Sequence, residues 1–172
     1  MFWRRPQREE VEPTLEPESE MGLAEVRIYT ATDTIEGWVD VDRQRLSDVL
    51  NVEDLLSVSR VAVGPRGEDW FVVDREQMLI VVAPPRPTDR KVRLHRMKRP
   101  VMIQTGPYEV RGSVHLIAGI ALDPMLARSR QYFLPVTDAR IIDPVREIDD
   151  DCDVALVNVR VARERLKLEV VE

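Results

Sequence analysis

Residues 26–41 read "VRIYTATDTIEGWVDV", and the same apolar rhythm returns at residues 101–116 as "VMIQTGPYEVRGSVHL". The identities fall at one constant spacing and are more numerous than chance gives for segments of this length. They pair Val26 with Val101, Ile28 with Ile103, Thr30 with Thr105, Gly37 with Gly112 and Val39 with Val114. This self-similarity predicts an internal repeat.

The similarity resumes further along the chain, where "VSRVAV" (58–63) matches "VTDARI" (136–141) and "DWFVVD" (69–74) matches "DVALVN" (153–158). It predicts two related units, residues 25–83 and 101–172. The segment between them, 84–100, is rich in proline and basic residues and is typical of a linker. Residues 1–24 are acidic and lack apolar periodicity, which predicts a disordered N-terminal tail.

Each unit has a hydrophobic period of two, which is the period of a β-strand. Val26, Ile28 and Thr30 share one face, and "DWFVVD" and "MLIVVA" (78–83) are rich in β-branched and apolar residues. Glycines in the middle of strands, Gly37 and Gly112, fit sharp bends. We therefore predict an all-β fold of two tandem, related small antiparallel barrels or curled sheets. Units this small bury little core alone, so they are expected to pack on each other.

The octapeptide "QRLSDVLN" (44–51) stands between the second and third predicted strands. Leu46 and Leu50 have the i, i+4 spacing of one helix face. Ser47 is suited to cap a helical turn, and Asn51 to end it in the left-handed conformation. The pattern predicts a helical corner that plugs one end of the barrel, and the alternative is a binding motif. The residues of this corner motif are Arg45, Leu46, Ser47, Asp48, Leu50 and Asn51.

A glycine-bearing strand, a loop with Asp and Asn, a long strand and two shorter ones resemble the Sm-like small β-barrel. Gly37, Asp42 and Asn51 stand at the approximate places of that superfamily's glycine, aspartate and asparagine, and "VVDREQMLIVV" is similar to its fourth strand, turn and fifth strand. The superfamily's loop residues line an RNA-binding ring, so the resemblance implies an RNA-facing loop. Residues 26–82 are also similar to an uncharacterised bacterial family with an R-L-S-D-x-L-N motif.

The composition is that of a globular protein of 172 residues with a net charge of −6. No apolar run approaches the ~20 residues of a membrane span. The charged N-terminus lacks the apolar core of a signal peptide. Cys152 is the one cysteine and has no partner for a disulfide, which is typical of a reducing compartment. We predict a cytoplasmic protein.

Catalytic signatures are weak. The sequence has no glycine-rich phosphate loop. His95 and His115 stand apart from other zinc-ligand types and read as surface residues. Acidic neighbours disfavour a Cys152 thiolate. The stretch "EIDDDCD" (147–153) could hold a cation through Asp149, Asp151 and Asp153, but a solvated hairpin loop explains it better. We expect no catalytic residues, no metal and no cofactor.

The basic segment "DRKVRLHRMKRP" (89–100) is the strongest binding candidate in the sequence. Such a stripe suits phosphate contacts that depend on salt but not on base sequence. It could equally pair with the acidic segments of this chain. The leading hypothesis is thus a non-enzymatic protein-interaction or assembly module, with self-association or a protein partner. Nucleic-acid binding is the alternative, through Arg90, Lys91, Arg93, Arg96, Lys98 and Arg99.

Overall fold

A computed structural model describes residues 22–42, 44–60, 70–83, 96–117 and 131–161 of the chain. Within these residues the fold is all-β, as predicted, with nine strands and one seven-residue α-helix. The first five strands are β1 (Leu23–Tyr29), β2 (Thr34–Asp40), β3 (Leu55–Arg60), β4 (Trp70–Asp74) and β5 (Ile80–Val82). The last four are β6 (Arg96–Thr105), β7 (Tyr108–Ile117), β8 (Phe133–Asp143) and β9 (Ile148–Asn158). Helix α1 spans Leu46–Val52, and a 3-10 turn spans Arg75–Gln77.

All nine strands belong to one antiparallel sheet, in the order β4-β3-β2-β1-β5-β9-β8-β7-β6. The short strand β5 joins the two halves, because it pairs with β1 on one side and with β9 on the other. The strands of the two predicted units therefore lie in a single sheet. β4 and β6 are the outermost strands of its described part.

The first hairpin of each half has the same register. Val26 lies opposite Gly37 in β1–β2, and Val101 lies opposite Gly112 in β6–β7. The second hairpins match in the same way. Their opposed pairs are Leu56–Val73 and Val58–Phe71 in the first half, and Leu134–Val157 and Val136–Ala155 in the second. Residues aligned in the sequence thus occupy corresponding ladder positions.

Gly37 sits where β2 crosses close to β3. A Cβ atom at this position would lie 2.3 Å from the Ser59 carbonyl oxygen and 2.4 Å from Val58 Cγ1. Neither distance is tolerable for a real side chain, so the close approach of the two strands requires glycine.

Gly112 meets the corresponding neighbours in the second half. A Cβ atom there would lie 2.5 Å from Val136 Cγ1 and 2.9 Å from the Thr137 carbonyl oxygen. The pairing of β7 with β8 also shifts register between Arg111 and Ser113. Such an irregularity bends a strand, so both glycines lie at tight points of the sheet.

The buried residues form two hydrophobic cores, and each core contains side chains from both halves. The first contains Ile28, Val39, Leu50 and Val58 from the first half and receives Phe133 and Leu156 from the second. The second is built on β6–β9 and receives Tyr29, Leu79 and Ile80 from the first half. Because each core contains residues of both halves, neither half buries its apolar side chains with its own strands alone.

Turns at one end of the molecule lock the halves together by polar contacts. The Tyr108 hydroxyl donates to the Thr30 carbonyl at 2.9 Å, and the Tyr29 and Tyr108 rings pack edge to face at 5.4 Å. Arg146 donates to the Tyr108 hydroxyl at 2.9 Å and to the Ala31 carbonyl at 2.5 Å. The bond from Tyr108 to Thr30 is buried and the bond from Arg146 to Ala31 is exposed, and together they fix the β1–β2 turn against the β8–β9 turn.

Two predicted boundaries differ from the observed strands. β1 begins at Leu23, inside the predicted tail 1–24, and the rest of that tail, except Gly22, lies outside the described residues. β6 begins at Arg96, inside the predicted linker 84–100. The linker prediction relied on proline and charge, but Pro100 is accommodated in β6 because this strand is outermost in the described sheet.

Candidate interaction surfaces

The outer strand β4 carries the largest exposed apolar surface at an end of the described sheet. It pairs with β3 only, among the residues described. On its solvent side Trp70 is 41% and Val72 is 59% exposed, and Leu55 of β3 beside them is 58% exposed. Exposed apolar side chains grouped on one surface are typical of a protein-interaction site.

The corresponding strand of the second half, β9, is not exposed in this way. β9 pairs with β8 as β4 pairs with β3, but its other edge is covered by β5 along Ala155–Val157. The matching stretch of β4 is Phe71–Val73.

The opposite end of the sheet is protected differently. β6 begins at Arg96, and its exposed residues include Met97, Lys98, Arg99 and Pro100. Lysine and proline on an outer strand discourage pairing with other chains, since one adds charge and the other removes a donor. β4 has neither a lysine nor a proline.

The basic residues predicted to bind nucleic acid are only partly within the description. Arg90, Lys91 and Arg93 lie outside the described residues, and Arg96 is the first residue of β6. Lys98 forms an ion pair with Asp138, which holds the pKa of that carboxyl below its ordinary value. Arg99 is exposed on the same strand.

The corner motif forms α1, with Leu46 and Leu50 buried in the first core. Asp48 lies in the first turn, where a negative charge suits the helix dipole. The expectation that Ser47 caps the helix is wrong: the N-cap is Arg45, which is exposed and makes no side-chain capping bond. Asn51 lies inside the helix and does not end it in the left-handed conformation.

Asn51 instead connects the helix to the second half. Its Oδ1 accepts hydrogen bonds from the backbone N–H groups of Tyr132 at 2.7 Å and Phe133 at 3.0 Å. Its Nδ2 donates to the Ser47 carbonyl at 2.6 Å. Because its partners are all within the fold, the Asn51 amide has a structural role.

Arg75, in the 3-10 turn, also contacts the segment that precedes β8. Its guanidinium lies 3.6 Å above the Tyr132 ring centre and donates to the Glu53 carbonyl at 3.2 Å. It also forms an ion pair with Asp54. A guanidinium that stacks on an aromatic face while it satisfies a loop carbonyl is structural in character.

An open cleft of about 400 Å³ lies where β5 ends, between β1 and β9. Arg27 crosses it and donates to Glu36 at 2.7 Å and to Asp150 at 3.2 Å, and the Tyr29 hydroxyl donates to Asp150 at 2.5 Å. Burial, then the bond to Asp150, raise the pKa of Tyr29 far above its usual range. Burial, then the nearby aspartates, raise the pKa of the Cys152 thiol to about 11.

The prediction that the acidic stretch 147–153 is a hairpin loop is wrong, because strand β9 begins at Ile148. Strand geometry sends alternate side chains to opposite faces, so Asp149 pairs with Arg140 while Asp150 faces Tyr29. Among the residues described, no group of His, Cys, Asp and Glu side chains is arranged to hold a metal ion. His115 is exposed on β7 beside the Thr137 hydroxyl at 3.0 Å, and His95 lies outside the description.

No known protein family, curated protein or solved structure matches this chain. Among the described residues, no helix has the length and apolar character needed to cross a membrane. The surfaces themselves are therefore the basis for a functional argument.

Proposed function

We propose that this protein is a non-enzymatic assembly module that binds another polypeptide through the exposed apolar side chains of β3 and β4. The observation that carries the proposal is the exposure of Leu55, Trp70 and Val72, which lie on these two neighbouring strands. Exposed apolar side chains grouped on one surface are typical of a protein-interaction site.

The energetic case rests on the apolar area that a partner would cover. Covering Val72 and Leu55 contributes hydrophobic stabilisation of about 25 cal/mol per Å² of apolar area removed from water. On β6, at the other end of the described sheet, Met97 is the one exposed large apolar side chain among the described residues.

The groups in the cleft favour a non-enzymatic protein. A general base or a nucleophile works best with a pKa near neutral pH. The raised pKa values of Tyr29 and of Cys152, the latter about 11, keep both groups protonated there. Arg27 is engaged by two carboxylates. Within the cleft, Arg27, Tyr29, Glu36 and Asp150 are thus engaged with one another.

We further propose that the two halves are tandem repeats of one Sm-like unit. The equal hairpin registers, with Val26 opposite Gly37 and Val101 opposite Gly112, support the repeat. Under this proposal β4 and β9 are equivalent strands.

The test compares the wild-type chain with Val72→Lys and with Val145→Lys. Val145 is an exposed valine in the β8–β9 turn, far from the edge in the sheet order, and provides a matched control. Light scattering after size-exclusion chromatography gives the mass over a wide range of protein concentrations. We expect the wild type and the control to associate with rising concentration and Val72→Lys to remain monomeric, because the substitution would bury an unpaired charge in the apolar contact.

Amide hydrogen exchange of Phe71–Val73 provides a second readout. Association through β4 slows exchange of these amides as concentration rises. A wild-type chain that stays monomeric, with β4 amides exchanging at the same rate at every concentration, overturns the proposal. Equal association of Val72→Lys and the wild type would move the interface elsewhere.

Nucleic-acid binding through the basic segment stays the alternative prediction. The ion pair of Lys98 with Asp138 weighs against it, because that cation is already partly neutralised. Binding of a labelled generic RNA at low salt, followed by anisotropy, tests this alternative. If the segment contacts phosphates, affinity falls steeply with salt and Arg99→Gln flattens the slope. Absence of binding at low salt removes the alternative.

A further inference from the structure

We infer that the partner of the β3–β4 surface, formed by Leu55, Trp70 and Val72, is a second copy of this chain, which packs the exposed start of its own β6 against it. The inference rests on the proposed function and names its partner. Two comparisons carry it, one between the two halves of the chain and one between the charges at the two ends of the described sheet.

The counterparts of these three residues are covered in the second half. The hairpins β3–β4 and β8–β9 have matching registers, and the counterparts are Phe133 for Leu55, Leu156 for Val72 and Val154 for Trp70. Phe133 and Leu156 are buried in the first core and Val154 packs against it, so the first half covers this surface of the second. The equivalent surface of the first half is also apolar but is exposed, which is typical of a surface that another polypeptide covers.

The charges around the two surfaces differ, and the difference indicates the kind of partner. Four exposed acidic residues flank the β3–β4 surface where β3 begins and β4 ends, and they are Glu53, Asp54, Asp74 and Glu76. None of the counterparts around the covered surface is acidic, and they are Gln131, Tyr132, Asn158 and Arg160. The exposed surface therefore suits a partner that combines apolar and basic side chains.

Most of this acidic charge is not neutralised within the described part of the chain. Asp54 forms an ion pair with Arg75, but Glu53, Asp74 and Glu76 form none with the described residues. The Asp74 carboxylate accepts a hydrogen bond from the Glu76 N–H at 2.8 Å, which leaves its negative charge in place. A cation that binds here thus gains an ion pair without breaking one.

The start of β6 offers the complementary combination. Met97 is 43% exposed, and the basic residues Lys98 and Arg99 beside it are exposed as well. Lys98 is paired with Asp138, whereas Arg99 forms no ion pair with the described residues. β6 and β4 lie at opposite ends of the described sheet. One copy can therefore present the basic surface while another presents the acidic one.

The side chains have the same spacing on the two strands. Val72 and Asp74 are two residues apart on β4, and Met97 and Arg99 are two residues apart on β6, so each pair shares one face with a spacing of about 7 Å. When Met97 packs on Val72, Arg99 would lie against Asp74. Side chains make this contact and no ladder is shared, so the lysine and proline of β6 do not oppose it.

The contact is head-to-tail, because it joins two different surfaces of two copies. Contacts of this kind close into rings or extend into filaments. Its ion pairs lie at the surface, where salt screens them. Association should therefore weaken as sodium chloride is added, whereas a contact made by apolar side chains alone would not.

The experiment reverses the charge of each surface in turn in the full-length chain. Glu53→Lys with Glu76→Lys reverses the acidic surface, and Arg99→Glu reverses the basic one. Glu147→Lys with Asp151→Lys, at two exposed acids of the β8–β9 hairpin, is the control with the same change in net charge as the first variant. Circular dichroism establishes that each variant is folded, and light scattering after size-exclusion chromatography measures association.

We expect each reversed variant to associate at least about tenfold more weakly than the wild type, because like charges then meet. Their equimolar mixture should recover the association of the wild type, since the reversed acidic surface of one variant meets the reversed basic surface of the other. The control should associate like the wild type.

The other outcomes separate the two proposals. If Val72→Lys is monomeric while Arg99→Glu associates like the wild type, another surface covers β3 and β4, and the inference falls while the proposed function stands. Failure of the mixture to recover association also overturns the inference alone. If Val72→Lys associates like the wild type, or the wild type is monomeric throughout, both proposals fall. The salt dependence of the wild type needs no variant, and association that does not weaken with salt overturns the inference even where a reversed variant fails to fold.

Discussion

At the residue scale, the side-chain amide of Asn51 joins helix α1 to the start of β8. Replacing Asn51 by Ala leaves the N–H groups of Tyr132 and Phe133 without their acceptor in a partly buried place. We expect a loss of about 1–3 kcal/mol in the free energy of unfolding, measured by chemical denaturation. Arg45→Ala provides the control and should change stability by less than about 0.5 kcal/mol, because Arg45 is exposed and makes no capping bond. Equal losses for the two variants would contradict this role.

The sequence indicated a helix at this corner but not the task of Asn51. The i, i+4 leucines required burial on one face, and that requirement is local. The partners of Asn51 lie more than eighty positions away in the chain, at the start of β8. Residue type alone could suggest only the local use of an asparagine, which is to end a helix.

At the scale of the strand, Gly37 and Gly112 should behave as a pair, because each lies where two strands approach closely. Gly37→Ala places a methyl group 2.3 Å from a backbone oxygen, while Gly112→Ala places it 2.9 Å from one. We expect both variants to be destabilised, Gly37→Ala the more strongly, because a backbone atom cannot move aside as a side chain can. Ser57→Ala, an exposed change in β3, is the control. A Gly37→Ala variant as stable as that control would contradict the close approach.

Strand positions were predictable because a period of two is visible in the sequence, and the matched glycines marked equivalent places in both halves. The edges were not. Which strand lies outermost depends on pairing between distant segments, and β5 is only three residues long. The apolar surface on β4 therefore looked like ordinary core sequence, since Trp70, Phe71 and Val72 would suit a buried strand equally well.

At the scale of the whole molecule, the exchange of side chains between the cores predicts one cooperative unfolding transition. The described tryptophans, Trp38 and Trp70, both lie in the first half and report on it by fluorescence. Far-UV circular dichroism reports on both halves. We expect the two signals to change together in denaturant. Ile141→Ala, a change in the second core that costs about 2–5 kcal/mol, should shift both by the same amount. Separate transitions would show that the halves unfold independently.

Strand β5 contributes side chains to both cores, and this affects how the strand reaches its native register. Ile80 enters the second core and Val81 the first, so a slip by one residue would still place an apolar side chain in each. Hydrophobic burial alone therefore cannot distinguish the native register of β5 from a register shifted by one residue. Asn158 can, because its buried amide donates to the carbonyls of Arg75 and Met78, both at 3.0 Å. The side-chain amide of Asn158, at the end of β9, thus determines the register of β5.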